Sequence, residues 1–413
     1  MPPDRLRILQ VAPWSVHGSG TGGMAAVVRD LSAALRDAGH HVEILTNAWN
    51  APGPVRDGAE VRLRLPGPPA EAGGWRRLKW PIHRERAARA LVSLCRRARV
   101  DIIHAHFASP YLATLARARA LGGPPYLVTC HRGDVLAMPQ LDVHQRTAVI
   151  TGMHTASACV AVSRWLAGEA ETAFGLDHVE TVPNGFQPPW TEVPFRAQVE
   201  ASLGRRLPKR YAVMVANMRP YKGHPVALDA WRIVQKSADL PLVLVGDGPD
   251  FGATRTLAQR KGLDDRVVFL GHLDRETAVG VMAYAQMVIG PSQNEGQGLF
   301  ALEAGALSRP LVCSAIPPLL DIVDHGQSAL TFQPGDAEAL AKAVLQLAGD
   351  LDLQERLGSR LNAVVHRDFS IGRMAGRYYS VYRKVRENHG RGDKPSIQSF
   401  LSPLRVRDRF RRM

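Results

Sequence analysis

The stretch Pro291-Ser292-Gln293-Asn294-Glu295-Gly296-Gln297-Gly298-Leu299-Phe300-Ala301-Leu302-Glu303-Ala304-Gly305-Ala306-Leu307 decides how the rest of the chain is read. Just upstream, Ala285 to Gly290 (AQMVIG) is a short apolar run ending in glycine, the pattern of a parallel strand reaching the edge of its sheet. Ser292 and Asn294 are turn formers, Gly296 and Gly298 tolerate positive φ, and Leu299 to Leu307 has the apolar spacing of a buried helix. The segment therefore predicts a helix N-terminus pointing out of the carboxyl edge of a sheet. Its first amides, near Leu299 and Phe300, would lack intrahelical partners and would hold an anion, most usefully a phosphate. Glu295 precedes these amides, and Glu303 stands one turn into the helix on the face of Leu299. Carboxylates accept hydroxyls, so acids on either side of a phosphate cradle suit a nucleotide sugar. A plainer reading also fits: Glu303 complements the helix dipole and Glu295 is a solvated loop acid.

At 413 residues the chain is too long for one ordinary core, and two domains of somewhat under 200 residues are expected. Hydrophobic content of 45% and charged content of 22% describe a globular protein rather than a disordered one. No apolar run approaches the ~20 residues that span a bilayer, and MPPDRLRILQVAP enters a strand without a signal-peptide core, so a cytoplasmic location is expected. Cys95, Cys130, Cys159 and Cys313 are scattered without a CxxC pair, which suggests neither a zinc site nor a disulfide framework. The net charge is +14, and 13 of those charges sit in two places: +8 between Trp75 and Arg99, and +5 after Gly390. Basicity that local implies an anionic surface or partner.

Taken in order, Arg5 to Ala12 predicts a first strand, Ala25 to Ala38 a helix closed by Gly39, and His41 to Thr46 a second strand. The loop between them holds Gly18, Gly20 and Gly23 at GxGxxG spacing. A dinucleotide fingerprint is rejected, because Gly18 is too far from Val11 and the second strand ends in Thr46-Asn47 without an acid for a ribose. Gly22 and Gly23 instead fit a mobile loop that lets a phosphate or acceptor approach. Between Gly74 and Arg99, Trp75, Leu78, Trp80 and Ile82 interleave with arginines ahead of a helix; this suits an anionic membrane interface, and equally a solvated helix face with two core tryptophans. His104 and His106 share one face of the next strand, as a metal pair or as packing histidines, with no third ligand in sight. Pro125 to Cys130 is another strand, and it delivers His131-Arg132-Gly133-Asp134 to its carboxyl edge, where α/β enzymes place their sites.

The proline-rich, charged segment 188–210 reads as a linker between a domain at 1–187 and one at 211–370. The second domain repeats the alternation of strand, loop and helix: Tyr211 to Ala216, Leu242 to Val245, Val267 to Leu270, Met287 to Ile289 and Pro310 to Ser314. Both halves therefore predict the α/β class, each a doubly wound parallel sheet, with a cleft between their carboxyl edges. Arg219 and Lys222 follow the strand ending at Ala216 and would neutralise a diphosphate beside Leu299.

These motifs together resemble the family 4 glycosyltransferases, a retaining family of the GT-B fold with two facing Rossmann-like domains. The resemblance spans about Leu6 to Arg386. It rests on Gly22-Gly23, His131 with Asp134, Pro183-Asn184-Gly185, Arg219 with Lys222-Gly223, Gly246-Asp247-Gly248-Pro249, Gly271, and EGQGLFALE from Glu295 to Glu303. The resemblance implies that Glu303 holds the ribose, that Lys222 and the Leu299 and Phe300 amides hold the diphosphate, and that Glu295 holds the donor sugar's hydroxyls. His131 would face the transferred sugar, Gly23 would sit beside the phosphates, and a helix at 371–388 would cross back onto the first domain. Asn217, Gly271 and Gly298 complete the expected donor-binding set. The sequence departs from the family at Ala216-Asn217, where Gly-Arg is frequent, so the second phosphate cation is either Arg219 or missing. Gln297 stands for a frequent aromatic and Gln187 for a frequent acid.

The expected reaction is transfer from a nucleoside diphosphate sugar to an acceptor hydroxyl with retention, with no metal or other cofactor. The basic regions at 75–99 and in the tail 389–413 favour an anionic or lipid-linked acceptor at the inner face of the cytoplasmic membrane. Other GT-B enzymes, a nucleotide-sugar epimerase or a phosphorylase, are the alternatives. A nucleic-acid partner is not expected, because the chain lacks a recognisable binding module and the basic stretches have few interleaved stacking aromatics.

Overall fold

The structure, a computed structural model, describes residues 5–16, 23–48, 54–57, 60–70, 74–190 and 192–390. Gly18, Gly20 and Gly22 of the first loop, and the basic tail beyond residue 390, lie outside the described residues. The first half builds β1 (Arg7–Ala12), β2 (His41–Asn47), β3 (Val55–Asp57), β4 (Glu60–Leu63), β5 (Ile102–His106), β6 (Tyr126–Cys130), β7 (Ala158–Ala161) and β8 (Glu180–Thr181). They form one sheet in the order β3-β4-β2-β1-β5-β6-β7-β8, parallel except for the β3–β4 pair. The second half builds β9 (Ala212–Val215), β10 (Leu242–Val245), β11 (Val267–Gly271), β12 (Met287–Gly290), β13 (Leu311–Ser314) and β14 (Leu330–Phe332), all parallel, in the order β11-β10-β9-β12-β13-β14.

The central strands are apolar runs because both faces of each sheet are covered by helices. Met287, Val288 and Ile289 of β12, for example, are all buried, two on one side of the sheet and one on the other. Strand order reverses between β1 and β5 in the first sheet and between β9 and β12 in the second. The loops leaving such switch points splay apart and open a crevice. Lys222 follows β9 and Glu295 follows β12, so the second switch point carries both.

Two crossings join the halves. Segment 188–210 is more than a linker: it contains helix Arg196–Leu203, and Val199 and Leu207 are buried in the second core. Its proline and charge content hid two apolar anchors. At the far end, helix Ile371–Gly390 returns to the first domain, burying Met374, Tyr378, Val381, Tyr382 and Val385 against Leu6, Ile8, Leu31 and Leu127. The crossings are tied to each other, since the Phe186 amide donates to the Phe369 carbonyl. Among the described residues no helix is long and apolar enough to cross a membrane.

Candidate active site in the interdomain cleft

The second half presents a short helix, Leu299–Ala306, started by Gly298 at φ 95°, a conformation glycine adopts at little cost and where a Cβ would meet the Leu319 side chain at 2.3 Å. The amides of Leu299 and Phe300 make no hydrogen bond to described residues. Preceding them, Glu295 is buried and accepts from Lys222 Nζ at 2.7 and 2.9 Å and from Ser292 Oγ at 2.7 Å. Glu303, one turn into the helix, is half-buried and its carboxylate has no hydrogen bond among the described residues. Burial raises its pKa against the pull of Arg275, and the nearby Asp30 raises it further.

The first half presents a neutral network instead. His131 Nε2 lies 3.2 Å from His106 Nδ1, and His106 Nε2 lies 2.7 Å from Gln10 Oε1. Gln10 Nε2 donates to Tyr382 Oη at 3.4 Å, and Tyr382 Oη lies 2.7 Å from His104 Nδ1. His104 Nε2 then meets Thr129 Oγ1 at 2.7 Å, which meets Tyr378 Oη at 3.1 Å. With the Gln10 amide accepting from His106, each ring in turn has one N–H and one lone pair, and His131 donates from Nε2. Burial pushes the His131 pKa down to about 4 and holds His104 and His106 well below the usual histidine range. Asp134 pins the loop from beneath, accepting from the amides of Ala108, His131 and Arg132 at 2.8–3.2 Å.

The two halves meet closely. A Cβ at Gly296 would come within 2.3 Å of the His131 carbonyl, so only glycine lets the two loops touch. Ser163 Oγ donates to the Gly296 carbonyl at 2.6 Å, and Arg132 Nε donates to Asn294 Oδ1 at 2.7 Å. Gln297 clasps Asn184, accepting from its amide at 2.7 Å and donating to its carbonyl at 3.2 Å. Arg275 bridges to Asp30 at 2.8 Å. Between these contacts lies a cavity of about 470 Å³.

Most of the residues singled out from sequence converge there: Gly23, His131, Asn217, Lys222, Glu295, Gly298, Leu299, Phe300 and Glu303 line the cavity. Two do not. Arg219 is exposed and outside the lining, because its extended backbone starts a 3₁₀ turn that turns only Tyr221 and Lys222 inward. Gly271 ends β11 at φ 67° in an irregular register with β10; its successors His272 and Leu273 line the cavity instead. Gln297 does line the cavity, but its amide is spent on the interdomain clasp. Sequence reasoning missed Asp30, Arg132 and Arg275. Arg275 follows the helix-capping Asp274, a weak local signal, while Asp30 lies on the amphipathic helix Gly23–Asp37 with no local signal at all.

Two doubly wound sheets facing one another across such a cleft define the GT-B class. Sucrose-phosphate synthase from Thermosynechococcus elongatus shares the fold with a TM-score of 0.73 at 24% identity, over 92% of this chain and 99% of that one. The Anabaena protein Alr3699/HepE in complex with UDP-glucose does so with a TM-score of 0.69 at 20% identity, over 92% of this chain and all of that one. The family described as Glycosyltransferase Family 4 matches residues 21–188, and the one described as Glycosyl transferases group 1 matches residues 195–362. N-acetyl-alpha-D-glucosaminyl L-malate synthase of Bacillus anthracis is 24% identical over 375 residues, 88% of this chain and 94% of that protein. The chain belongs to the family 4 glycosyltransferases.

Proposed function

We propose that this glycosyltransferase moves a sugar from a nucleoside diphosphate to a hydroxyl of an anionic acceptor, with retention of configuration and without a metal ion. The observation that carries the reading is the arrangement on the second domain: a half-buried Glu303 and two helix amides, none with a partner among the described residues, and the Lys222–Glu295 pair, in that order along one cavity wall. Glu303 accepts the ribose hydroxyls, the Leu299 and Phe300 amides take the diphosphate, and Glu295 takes the sugar hydroxyls. As the glycosidic bond breaks, negative charge grows on the departing phosphate. Lys222 and the helix amides stabilise it there, the largest catalytic contribution expected of the site. The departing phosphate then takes the acceptor's proton on the same face. His131, kept neutral, orients the transferred sugar. The UDP-glucose bound by the Anabaena neighbour supports a nucleotide sugar, and the L-malate in the Bacillus relative's name supports an acidic acceptor.

Attachment to an anionic membrane face, and a role in cell-surface polysaccharide or glycolipid synthesis, belong to the same proposal. Lys79, Arg86, Arg89, Arg96 and Arg97 are exposed on helix Gly74–Ala98. That helix packs on helix Leu112–Ala120, whose Arg119 bonds His389 at 2.9 Å. The root of the basic tail thus lies beside the basic helix, which supports a joint surface. Flotation of the full-length chain with anionic vesicles at moderate salt tests this, and failure to float defeats it.

Incubation with a panel of nucleotide sugars, watching nucleotide release and the anomeric signals of the product by proton NMR, tests the main reading. One donor should release its nucleotide in the presence of EDTA with a retained anomer. Full release by Lys222→Ala or Glu295→Gln would sink the assignment.

A further inference from the structure

Contacts between the two halves run in parallel order. On the second domain the sequence is Glu303, Leu299, Gly296 and Asn294. Glu303 lies in the field of Arg275 and its partner Asp30. A Cβ at Gly23 would meet Leu299 at 2.7 Å, and one at Gly296 would meet the His131 carbonyl at 2.3 Å. Asn294 holds Arg132. Reading from Glu303, the nucleoside comes first, then the diphosphate, then the sugar between Glu295 and His131. Arg132 lies one step beyond the sugar, where the acceptor must approach.

Three features single Arg132 out. Its guanidinium carbon sits 3.7 Å from the centroid of the Tyr221 ring, so that its plane is held by Tyr221 and by Asn294. Among the cations that line the cavity, Lys222 is matched by Glu295 and Arg275 by Asp30, whereas Arg132 has no ion-pair partner among the described residues. Its Nη groups also make no hydrogen bond to described residues, and they are the pair that reads a carboxylate or phosphate in bidentate fashion. Finally, its backbone lies at φ 132°, ψ −60°, a region that favours glycine. An arginine there stores local backbone strain, which clusters at functional sites.

We infer that Arg132 is the anion-binding residue of the acceptor site, so that the acceptor carries a phosphate or carboxylate close to the hydroxyl that receives the sugar. This rests on the donor orientation proposed above, and the two can fail separately. The anion is either part of a soluble molecule or part of a lipid headgroup; the fork of Nη groups recognises both.

The test uses the full-length chain. UDP, GDP, ADP and dTDP are first titrated by calorimetry; binding by none defeats the donor reading and this inference with it. With the chain saturated by the nucleotide that binds, inorganic phosphate is titrated as the anion probe. The expected result is a saturable phosphate site that Arg132→Gly weakens at least about tenfold, that Arg132→Lys weakens less, and that Arg219→Ala leaves unchanged. Arg132→Gly should melt no lower than the parent, which separates lost binding from lost folding. Glycerol 1-phosphate and vesicles containing phosphatidylglycerol are then compared as competitors of phosphate. Competition by the first supports a soluble acceptor and by the second a lipid headgroup. Equal phosphate binding by the parent and Arg132→Gly, or competition by neither probe, overturns the inference.

Discussion

The two walls of the cleft solve different electrostatic problems. The second-domain wall is charged: Lys222 faces Glu295 at 2.7 Å, next to helix amides and a Glu303 that have no partner among the described residues. Behind His131 the first-domain wall is neutral: His131, His106, Gln10, Tyr382, His104 and Thr129 pass hydrogen bonds from the cavity to the helix that returns from the second domain. On the proposed reading, charge is concentrated where a diphosphate would depart, and a neutral framework holds His131, which would orient the sugar. A cationic His131 would compete with Lys222 for the same phosphates, and burial prevents it.

This contrast is breakable by substitution. The largest effect should come from the charged wall: Lys222→Ala should lower kcat by about 10²–10³-fold, the scale for removing one donor to a developing oxyanion. His131→Ala should act mainly on KM for the sugar donor, and steady-state kinetics on the confirmed donor separates the two. A next, smaller effect lies in the neutral wall. Tyr382→Phe leaves Gln10 Nε2 and His104 Nδ1 without their buried partner, which should cost about 1–3 kcal/mol. Thermal unfolding should report it as a lower Tm with nucleotide affinity retained.

Much of this was readable in the sequence, for a physical reason. Parallel strands buried on both faces must be apolar and must be followed by helices, so both sheets and the Pro291–Leu307 site appear as local patterns. Residues that act through distant partners do not. His104 and His106 look like a metal pair locally, yet their rings are engaged by Gln10, Thr129, His131 and Tyr382, which lie 25 to 278 positions away. Arg219 and Lys222 look equivalent in a string of letters, but the turn between them sends one outward and one inward. Arg132 is invisible because its meaning lies in its backbone angle and in Asn294, 162 positions away.

The pH response sharpens the comparison further. His131 and His224 both have pKa values pushed down to about 4 by burial, with Lys222 adding to the effect at His224. Their unfolded forms take up protons near pH 6.5 while the folded forms do not, so stability falls as pH drops from about 6.5 toward 4, by about 1.4 kcal/mol per unit for each group. Chemical denaturation at a series of pH values should show this slope, and His131→Gln should flatten it. The smallest effect should come from Arg275→Ala. Its pair with Asp30 is partly exposed, so at most about 1 kcal/mol is expected, seen as a modest weakening of nucleotide binding.

The division of labour between the walls is tested most directly by one calorimetric comparison of nucleoside diphosphate affinity in the parent, Glu303→Gln and His131→Ala. The charged wall should own the nucleotide: Glu303→Gln should weaken binding by about tenfold or more, the loss of one charge-assisted contact, while His131→Ala stays within about twofold. Equal losses in both variants, or none at Glu303→Gln, would contradict it.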